Sequence, residues 1–234
     1  VGIAGLSVGS SALSCLVSTG GPRQLKIADP DTIEISNLNR IQATLADVTL
    51  NKSDVAARRA LEVDPFLDID IWRDGIATAS VERFLTEPKL SVFIDEMDDI
   101  RLKIESRSRC RALQIPVVMA TDNGDGVIVD IERYDTEPGR EVFHGRVQIA
   151  EDELQHIDRA AFVALANRII DVKQFTTRQW ESIQQIGTTL SGVPQLGSAA
   201  MIAGAAVAYA TRAIITGAPM PSGRYVISLE STFS

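Results

Sequence analysis

Cysteine and histidine are scarce in this sequence. Its 234 residues include two cysteines, Cys15 and Cys110, and two histidines, His144 and His156. Cysteines so far apart in sequence form neither a disulfide framework nor a pair with zinc-ligand spacing. We therefore predict no structural zinc and a location in the reducing cytoplasm. We expect both cysteines to be small core residues on helices.

Basic charge and long apolar runs are also lacking. The formal net charge is −8, which argues against a broad basic face for nucleic acid. The longest apolar stretch, residues 199–210, is too short to span a membrane and is rich in small residues. We expect it to pack in the core or at a dimer interface. The composition thus argues against both nucleic-acid and membrane partners.

The start of the chain leaves no room for a complete first element. It begins VGIA, without Met, and reaches a glycine turn at once. We expect a piece of a longer protein whose N-terminus lies upstream. No stretch has the pattern of a signal peptide. With 45% hydrophobic residues, the chain has enough apolar material for one sizeable core.

Strand-like and helix-like segments alternate along the chain. The predicted strands cover residues 1–4, 24–28, 67–72, 90–94, 116–120, 126–132 and 224–229. The predicted helices cover residues 11–18, 53–63, 80–85, 98–113, 160–170, 177–185 and 194–215. Such alternation indicates crossover units, because parallel strands must be joined by long connections. We predict an α/β fold with a Rossmann-like, mostly parallel sheet and helices on both faces.

A glycine-rich turn connects the first predicted strand to the first predicted helix. Gly5, Ser7 and Gly9 form a Gly-x-Ser-x-Gly pattern. Glycines let the backbone approach a phosphate, and the N-terminus of the following helix offers unpaired N–H groups. Asp29 ends the next predicted strand, where a ribose-binding carboxylate belongs. The turn predicts a nucleotide site, or else its glycines only allow a tight turn and close helix packing.

The same turn also matches the nucleophile elbow of serine hydrolases. Ser7 would be the nucleophile, and Asp95 and His144 follow in the chain order that this class requires. A serine hydrolase using Ser7 is therefore one alternative, although such elbows normally follow several strands. In the other interpretation, His144 is a hydrogen-bonded loop histidine without a catalytic role.

Polar and cationic side chains follow the second predicted strand. Asp31, Asn37 and Arg40 lie in the loop, and Lys52 begins the next helix. They suit adenylate formation, in which an ionised carboxylate attacks the α-phosphorus of ATP and pyrophosphate leaves. No general base is needed, but the triphosphate charge must be neutralised and the reactants aligned. A plain NAD-binding domain would explain Asp29 but neither cation.

Carboxylates follow directly after the strand predicted over residues 90–94. Asp95 and Asp98 stand at its C-terminal end, which is the ligand-binding edge of an open parallel sheet. Mg²⁺ is usually bound by one or two carboxylates together with phosphates and waters. These two residues are therefore candidates for a magnesium site beside a nucleotide.

Together these motifs resemble the ThiF/MoeB superfamily, which includes sulfur-carrier adenylyltransferases and the adenylation domains of ubiquitin-activating enzymes. Four motifs occur in the same order as in that family: the Asp-x-Asp at 29–31, the Ser-Asn-Leu-Asn-Arg at 36–40, Lys52, and the Asp-x-x-Asp at 95–98. The resemblance resumes weakly at 194–195 and 222–224, so it covers most of the chain. We predict a nucleotide-binding half over residues 1–135 and a C-terminal half over 136–234 that completes the same domain.

The resemblance implies an ATP-dependent adenylyltransferase that uses ATP and Mg²⁺, and it implies a role for each matching residue. The implied catalytic residues are Arg40, Lys52 and Asp98, and the implied nucleotide-binding residues are Gly5, Ser7, Gly9, Asp29, Asp31, Asn37, Arg40 and Lys52. Asp98 would coordinate Mg²⁺, with Asp95 or Asp99 assisting. Asp29 would hold the ribose hydroxyls, whereas Asp31 could instead cap the loop that it opens.

The sequence departs from the family pattern at several points. Ser7 replaces a usual glycine, and Lys103 stands where arginine is frequent. The paired Cys-x-x-Cys zinc motif of many relatives is absent. No cysteine lies in the later half, where thioester-forming relatives carry their nucleophile. We therefore expect an adenylate without a thioester on this chain.

The resemblance also implies partners. We expect a homodimer whose substrate is the C-terminal glycine of a ubiquitin-like or sulfur-carrier protein, or another carboxylate. Enzymes that activate a carboxylate on a modified tRNA base are also similar. The main alternative is a non-catalytic nucleotide-binding or scaffold domain, in which the altered glycine turn has lost turnover.

Overall fold

A seven-stranded sheet forms the centre of the computed structural model. The structure describes residues 1–147, 149, 156, 159–170, 175–190 and 194–233. The strands are β1 Gly2–Ala4, β2 Gln24–Ala28, β3 Asp68–Trp72, β4 Phe93–Asp95, β5 Val117–Asn123, β6 Gly126–Glu132 and β7 Gly223–Ser228. Their spatial order is β3-β2-β1-β4-β5-β6-β7. β3, β2, β1, β4 and β5 pair in parallel with one another in this order. β6 pairs antiparallel with β5, and β7 pairs antiparallel with β6.

The helices cover both faces of the sheet. They are α1 Val8–Ser18, α2 Lys52–Val63, α3 Val81–Thr86, α4 Ile100–Ala112, α5 Arg159–Ile170, α6 Thr177–Gln184, α7 Gly197–Ile215 and α8 Leu229–Phe233. α1, α2 and α7 share one apolar cluster with the sheet, and α3 and α4 share another on the opposite face. The α/β, Rossmann-like prediction is confirmed.

The strand order reverses direction beside β1. The chain moves from β1 outward to β2 and β3, then returns to β4 on the other side of β1. In open α/β sheets, ligands bind at such a switch point, outside the carboxyl ends of the strands. The glycine turn after β1 and the acidic turn after β4 therefore meet at one edge.

Most predicted elements lie where the sequence placed them, with shifts that have local causes. β2 and β6 match their predicted bounds. α4 begins at Ile100 because the carboxylate of Asp99 accepts hydrogen bonds from the backbone N–H groups of Arg101 and Leu102 and caps the helix. β5 continues to Asn123 because it pairs along its whole length with β6. That extension brings the side chains of Thr121 and Asp122 to the carboxyl edge of the sheet.

α7 contains the small-residue stretch and packs closely in the core. A Cβ atom on Gly204 would lie 2.6 Å from the backbone of Ser11 on α1, so glycine is required for this approach. Ala199, Ala203 and Val207 are fully buried, which confirms the core interpretation. Among the described helices, α7 has the length and hydropathy to cross a membrane, but 56% of that window is buried inside the protein.

The proposed boundary at residue 135 falls between two paired strands. β6 lies before it and β7 after it, and the two pair over six residues of β7. Both free cysteines lie on helices, as expected: Cys110 is buried in α4, and Cys15 is partly buried in α1.

Candidate functional site

A cavity of about 480 Å³ opens at the carboxyl edge of the sheet, at the switch point. Its volume lies in the range of small-molecule sites. Residues from the start of α1, the 31–40 loop, the start of α2, the β4–α4 turn and the end of β5 form its walls. Among the residues predicted from sequence, the cavity is lined by Ser7, Asp31, Asn37, Arg40, Lys52 and Asp98.

The glycines of the turn lie behind the cavity wall. Gly5 has φ +87°, and a Cβ atom there would lie 2.2 Å from the carbonyl oxygen of Glu96. A Cβ atom on Gly9 would lie 3.0 Å from Ile3. Both glycines therefore allow a tight turn and close packing. Ser7 and Val8, between them, face the cavity at the N-terminus of α1.

Asp29 organises the site from outside the cavity. Its carboxylate accepts hydrogen bonds from the backbone N–H groups of Leu6, at 2.6 Å, and Asp31, at 2.9 Å. Burial raises the pKa of Asp29, and these backbone bonds oppose that rise. Only 4% of Asp29 is exposed, and it is not among the residues that line the cavity. Asp31, the next carboxylate along, lines the cavity instead.

Two cations stand on one wall of the cavity. Arg40 donates from Nε to Oγ of Ser7 at 3.2 Å and from Nη1 to the carbonyl oxygen of Ser36 at 2.9 Å. Lys52 lies with its Nζ 2.8 Å from Oδ2 of Asp31. Asn37 is buried beside them, and its side-chain oxygen accepts a hydrogen bond from the backbone N–H of Glu34. The guanidinium and the ammonium together create a positive wall suited to phosphate.

The two carboxylates predicted for magnesium lie in different surroundings. Asp98 is exposed and lines the cavity. Asp95 is fully buried and forms ion pairs with Arg107 and Lys103. Burial alone would raise the pKa of Asp95, but the two cations hold it below its usual range. Asp95 is therefore not placed as a direct metal ligand, and Asp99 caps α4.

In the described part of the chain, no metal-binding group is formed by three or more histidine, cysteine, aspartate or glutamate side chains. A magnesium ion that arrives with a nucleotide needs fewer protein ligands, since phosphates and waters complete its octahedron. One accessible carboxylate, Asp98, beside a cationic wall fits that kind of site.

A family model described as the ThiF family matches residues 1–231. The chain belongs to the ThiF family. An uncharacterized protein of Mycobacterium tuberculosis is 38% identical over 99% of this chain and 32% of its own length. The tRNA threonylcarbamoyladenosine dehydratase of Escherichia coli is 32% identical over 56% of this chain and 47% of its own length. The chain thus spans less than half the length of these relatives.

The fold of this ThiF-family chain also matches solved structures. The E. coli protein MccB, crystallised with ATP, superposes with a TM-score of 0.66 at 18% sequence identity. That match covers 98% of this chain and 60% of MccB. At this identity, the likeness concerns the fold.

The cavity of the ThiF-family chain is lined by three carboxylates that sequence reasoning missed, Glu34, Glu96 and Asp122. Burial raises the pKa of Glu96 to about 8, and one of its side-chain oxygens accepts a hydrogen bond from the backbone N–H of Ala120. Burial likewise raises the pKa of Asp122 to about 6. Extending the predicted strand 116–120 to the Asn-Gly turn at 123–124 would have brought Asp122 to the sheet edge. Lys103 and Gln195 also line the cavity.

The serine-hydrolase alternative is wrong for this ThiF-family chain, because its three residues have other partners. The hydroxyl of Ser7 accepts a hydrogen bond from Arg40. Asp95 is paired with two cations, as above. Nε2 of His144 lies 2.9 Å from Asp130, and its Nδ1 accepts a hydrogen bond from Arg140. His144 is thus a hydrogen-bonded loop histidine.

Proposed function

We propose that this chain binds ATP and joins a carboxylate to its α-phosphorus as an acyl-adenylate. The observation that carries the proposal is the cavity at the switch point, in which Arg40 and Lys52 form a cationic wall near the exposed Asp98. Membership of the ThiF family and the likeness to MccB, solved with ATP, support the same nucleotide.

The proposed reaction needs no proton transfer from the acceptor. A carboxylate oxygen attacks the α-phosphorus, the bond to the oxygen that bridges the α- and β-phosphates breaks, and pyrophosphate leaves. Because the acceptor is already ionised near neutral pH, the protein has to align the reactants and stabilise negative charge. Arg40 suits the fork-like recognition of phosphate oxygens. Lys52, almost buried beside Asp31, adds a cation close by.

Magnesium is a further part of the proposal. Asp98 would hold the ion, because it is the carboxylate of the pair that reaches the cavity. Bound there with the nucleotide, Mg²⁺ would neutralise phosphate charge. Asp95 acts indirectly: one of its oxygens accepts a hydrogen bond from the backbone N–H of Met97 at 3.1 Å, which shapes the turn carrying Asp98.

For the acceptor, we propose the C-terminal glycine of a ubiquitin-like or sulfur-carrier protein. The family resemblance supports this choice. A homodimer and a cytoplasmic location are parts of the same proposal. Cys110 is buried, and neither cysteine lines the cavity, which supports an adenylate without a thioester on this chain. A carboxylate on a modified tRNA base is the second acceptor to test, because one relative is a tRNA-modifying dehydratase.

ATP–pyrophosphate exchange tests the proposal. The purified protein is assayed with Mg²⁺ and a panel of carrier proteins, and separately with carboxylate-bearing tRNA. We expect exchange with one acceptor class, and losses of at least about tenfold in kcat/KM for both Arg40→Ala and Asp98→Asn. Arg73→Ala and Asp68→Asn are matched controls, because both residues are exposed and lie outside the cavity.

Three outcomes would contradict parts of the proposal. Unchanged exchange in Arg40→Ala would show that Arg40 does not contribute to phosphate binding in the reaction. Exchange that requires tRNA would replace the carrier protein as acceptor. ATP binding that depends on Arg40, without exchange for any acceptor, would favour a nucleotide-binding scaffold instead.

A further inference from the structure

Asn39 connects two distant parts of the chain beside the cavity. Its side-chain oxygen accepts a hydrogen bond from Nη1 of Arg40 at 3.1 Å. Its side-chain nitrogen donates to the carbonyl oxygen of Gln195 at 2.7 Å, although the two residues are 156 positions apart. One amide therefore contacts both the proposed phosphate-binding arginine and the segment that leads into α7.

The segment 194–197, which we name the strap, is held at its other side by β5. Nε2 of Gln195 donates to Oδ2 of Asp122 at 3.1 Å. Arg40, Asn39, Gln195 and Asp122 thus form a continuous series of hydrogen bonds. Arg40, Gln195 and Asp122 all line the cavity, so the series runs from its cationic wall to the end of β5.

The strap lies in direct contact with the loop that carries Asn39. A Cβ atom added to Gly197 would lie 2.2 Å from the carbonyl oxygen of Asn39. Real side chains do not tolerate that distance, so only glycine lets the start of α7 come this close. The hydrogen bond from Asn39 to Gln195 depends on this approach.

The contacts of Arg40 define the direction of its remaining donors. Its Nε and both Nη1 hydrogens have partners in Ser7, Ser36 and Asn39. Within the described residues, Nη2 makes no hydrogen bond. A planar guanidinium whose Nε and Nη1 donors are fixed in this way holds the two hydrogens of Nη2 in set directions as preformed donors. Fixing it in the protein lowers the ordering cost when an anion binds.

We infer that Asn39 is a positioning residue, which orients Arg40 for the phosphates by joining it to the strap. The inference rests on the proposed function for the identity of the anion. Asn39 acts through Arg40 and needs no contact with the nucleotide. The strap contributes by holding the amide of Asn39 with its oxygen toward Arg40.

A double-mutant cycle tests whether Asn39 acts through Arg40. We expect Asn39→Ala to lower kcat/KM in ATP–pyrophosphate exchange about tenfold in the wild-type background and to change nothing further in Arg40→Ala. Equal losses in both backgrounds, or no loss in either, would overturn the inference. Asn39 is exposed, so unfolding of the variant is not expected, and thermal melting checks this.

Two further variants separate the two hydrogen bonds. Asn39→Asp keeps an acceptor for Arg40 but loses the donor to Gln195, and Gly197→Ala moves the strap without altering either side chain. We expect a loss of about threefold or more in each. Gly139→Ala is the control, since a Cβ atom there meets nothing within 4 Å. Wild-type rates in Asn39→Asp and Gly197→Ala would show that the strap does not help to position Arg40.

A readout without nucleotide separates this inference from the proposed function. The Nε–H resonance of the Arg40 side chain should be distinct in the wild type and should move toward that of a free arginine in Asn39→Ala. If wild-type protein shows no exchange but this shift occurs, the proposed reaction fails and the positioning role stands. An unchanged resonance in Asn39→Ala would refute the positioning role, whatever the exchange assay shows.

Discussion

Arg107 on α4 and Asp95 at the end of β4 form an ion pair in which neither side chain is exposed to solvent. Arg107 also donates from Nε to Glu132 on β6 at 2.7 Å. The guanidinium carbon lies 3.9 Å from the ring centre of Phe143. One buried cation thus compensates two carboxylates and joins β4, next to the candidate site, to the antiparallel part of the sheet.

Replacing Arg107 should destabilise the fold strongly. Arg107→Met fills similar space but leaves Asp95 and Glu132 without their common partner. Removing one member of a buried ion pair typically costs about 3–5 kcal/mol. We expect the free energy of unfolding, measured by urea denaturation, to fall by that amount. Arg73→Met, which removes an exposed ion pair with Asp54, should cost less than about 1 kcal/mol. Equal effects of the two substitutions would contradict the prediction.

Glu96 should make stability fall as pH rises. Because burial raises its pKa from 4.5 to about 8, the folded state favours the protonated acid. Its favourable contribution is complete below pH 4.5 and is lost as pH approaches 8. We expect Glu96→Gln to gain stability relative to wild type across this interval, by up to about 5 kcal/mol at about 1.4 kcal/mol per pH unit, and no more above it.

The measurement is the free energy of unfolding at several pH values for wild type and Glu96→Gln. Glu82→Gln is the matched control, because Glu82 is exposed and lies away from the cavity. Parallel pH profiles for wild type and Glu96→Gln would show that Glu96 does not titrate in this range.

Gly5 should not tolerate a side chain. Gly5→Ala combines a left-handed backbone, φ +87°, with a Cβ atom 2.2 Å from the carbonyl oxygen of Glu96. We expect a loss of at least about 2 kcal/mol, together with weaker ATP binding, because the turns after β1 and β4 must separate. Gly139→Ala should leave both quantities unchanged. A fully stable Gly5→Ala variant would show that the two turns can separate without cost.

Lys52 should contribute to nucleotide affinity through its charge. Lys52→Met keeps the length of the side chain but leaves Asp31 unpaired and removes a cation from the cavity wall. We expect the Kd for ATP, measured by calorimetry, to rise about 10- to 100-fold, with partial recovery in Lys52→Arg. Lys89→Met, an exposed lysine outside this cavity, is the control. Equal affinity for Lys52→Met and wild type would exclude Lys52 from the phosphate wall.

Much of the fold could be predicted because local signals were strong. β2 and β6 are short apolar runs bounded by turn residues, and their predicted bounds are confirmed. The cavity also brings together Arg40, Lys52 and Asp98, as the order of the strands implied. Arg40 and Lys52 follow β2, and Asp98 follows β4. The carboxyl ends of these parallel strands lie at one edge of the sheet.

The individual roles of the carboxylates were less predictable. Asp95 and Asp98 are three positions apart and look equivalent in sequence, yet one is buried against Arg107 and the other is exposed. The partner that decides this lies on α4, and its direction depends on how that helix packs. Asp29 is similar, since its two oxygens accept hydrogen bonds from the backbone N–H groups of Leu6 in the glycine turn and Asp31 in the following loop.

By itself, the sequence determined the alternating elements, the parallel sheet and the edge at which the motifs collect. These follow from hydrophobic period, turn residues and the handed connection of parallel strands, all of which act over short stretches. Only the tertiary structure decided which side chains face the cavity, which are neutralised by buried partners, and how Asn39 meets Gln195. Those outcomes depend on burial and on contacts between residues far apart in sequence, which no local pattern encodes.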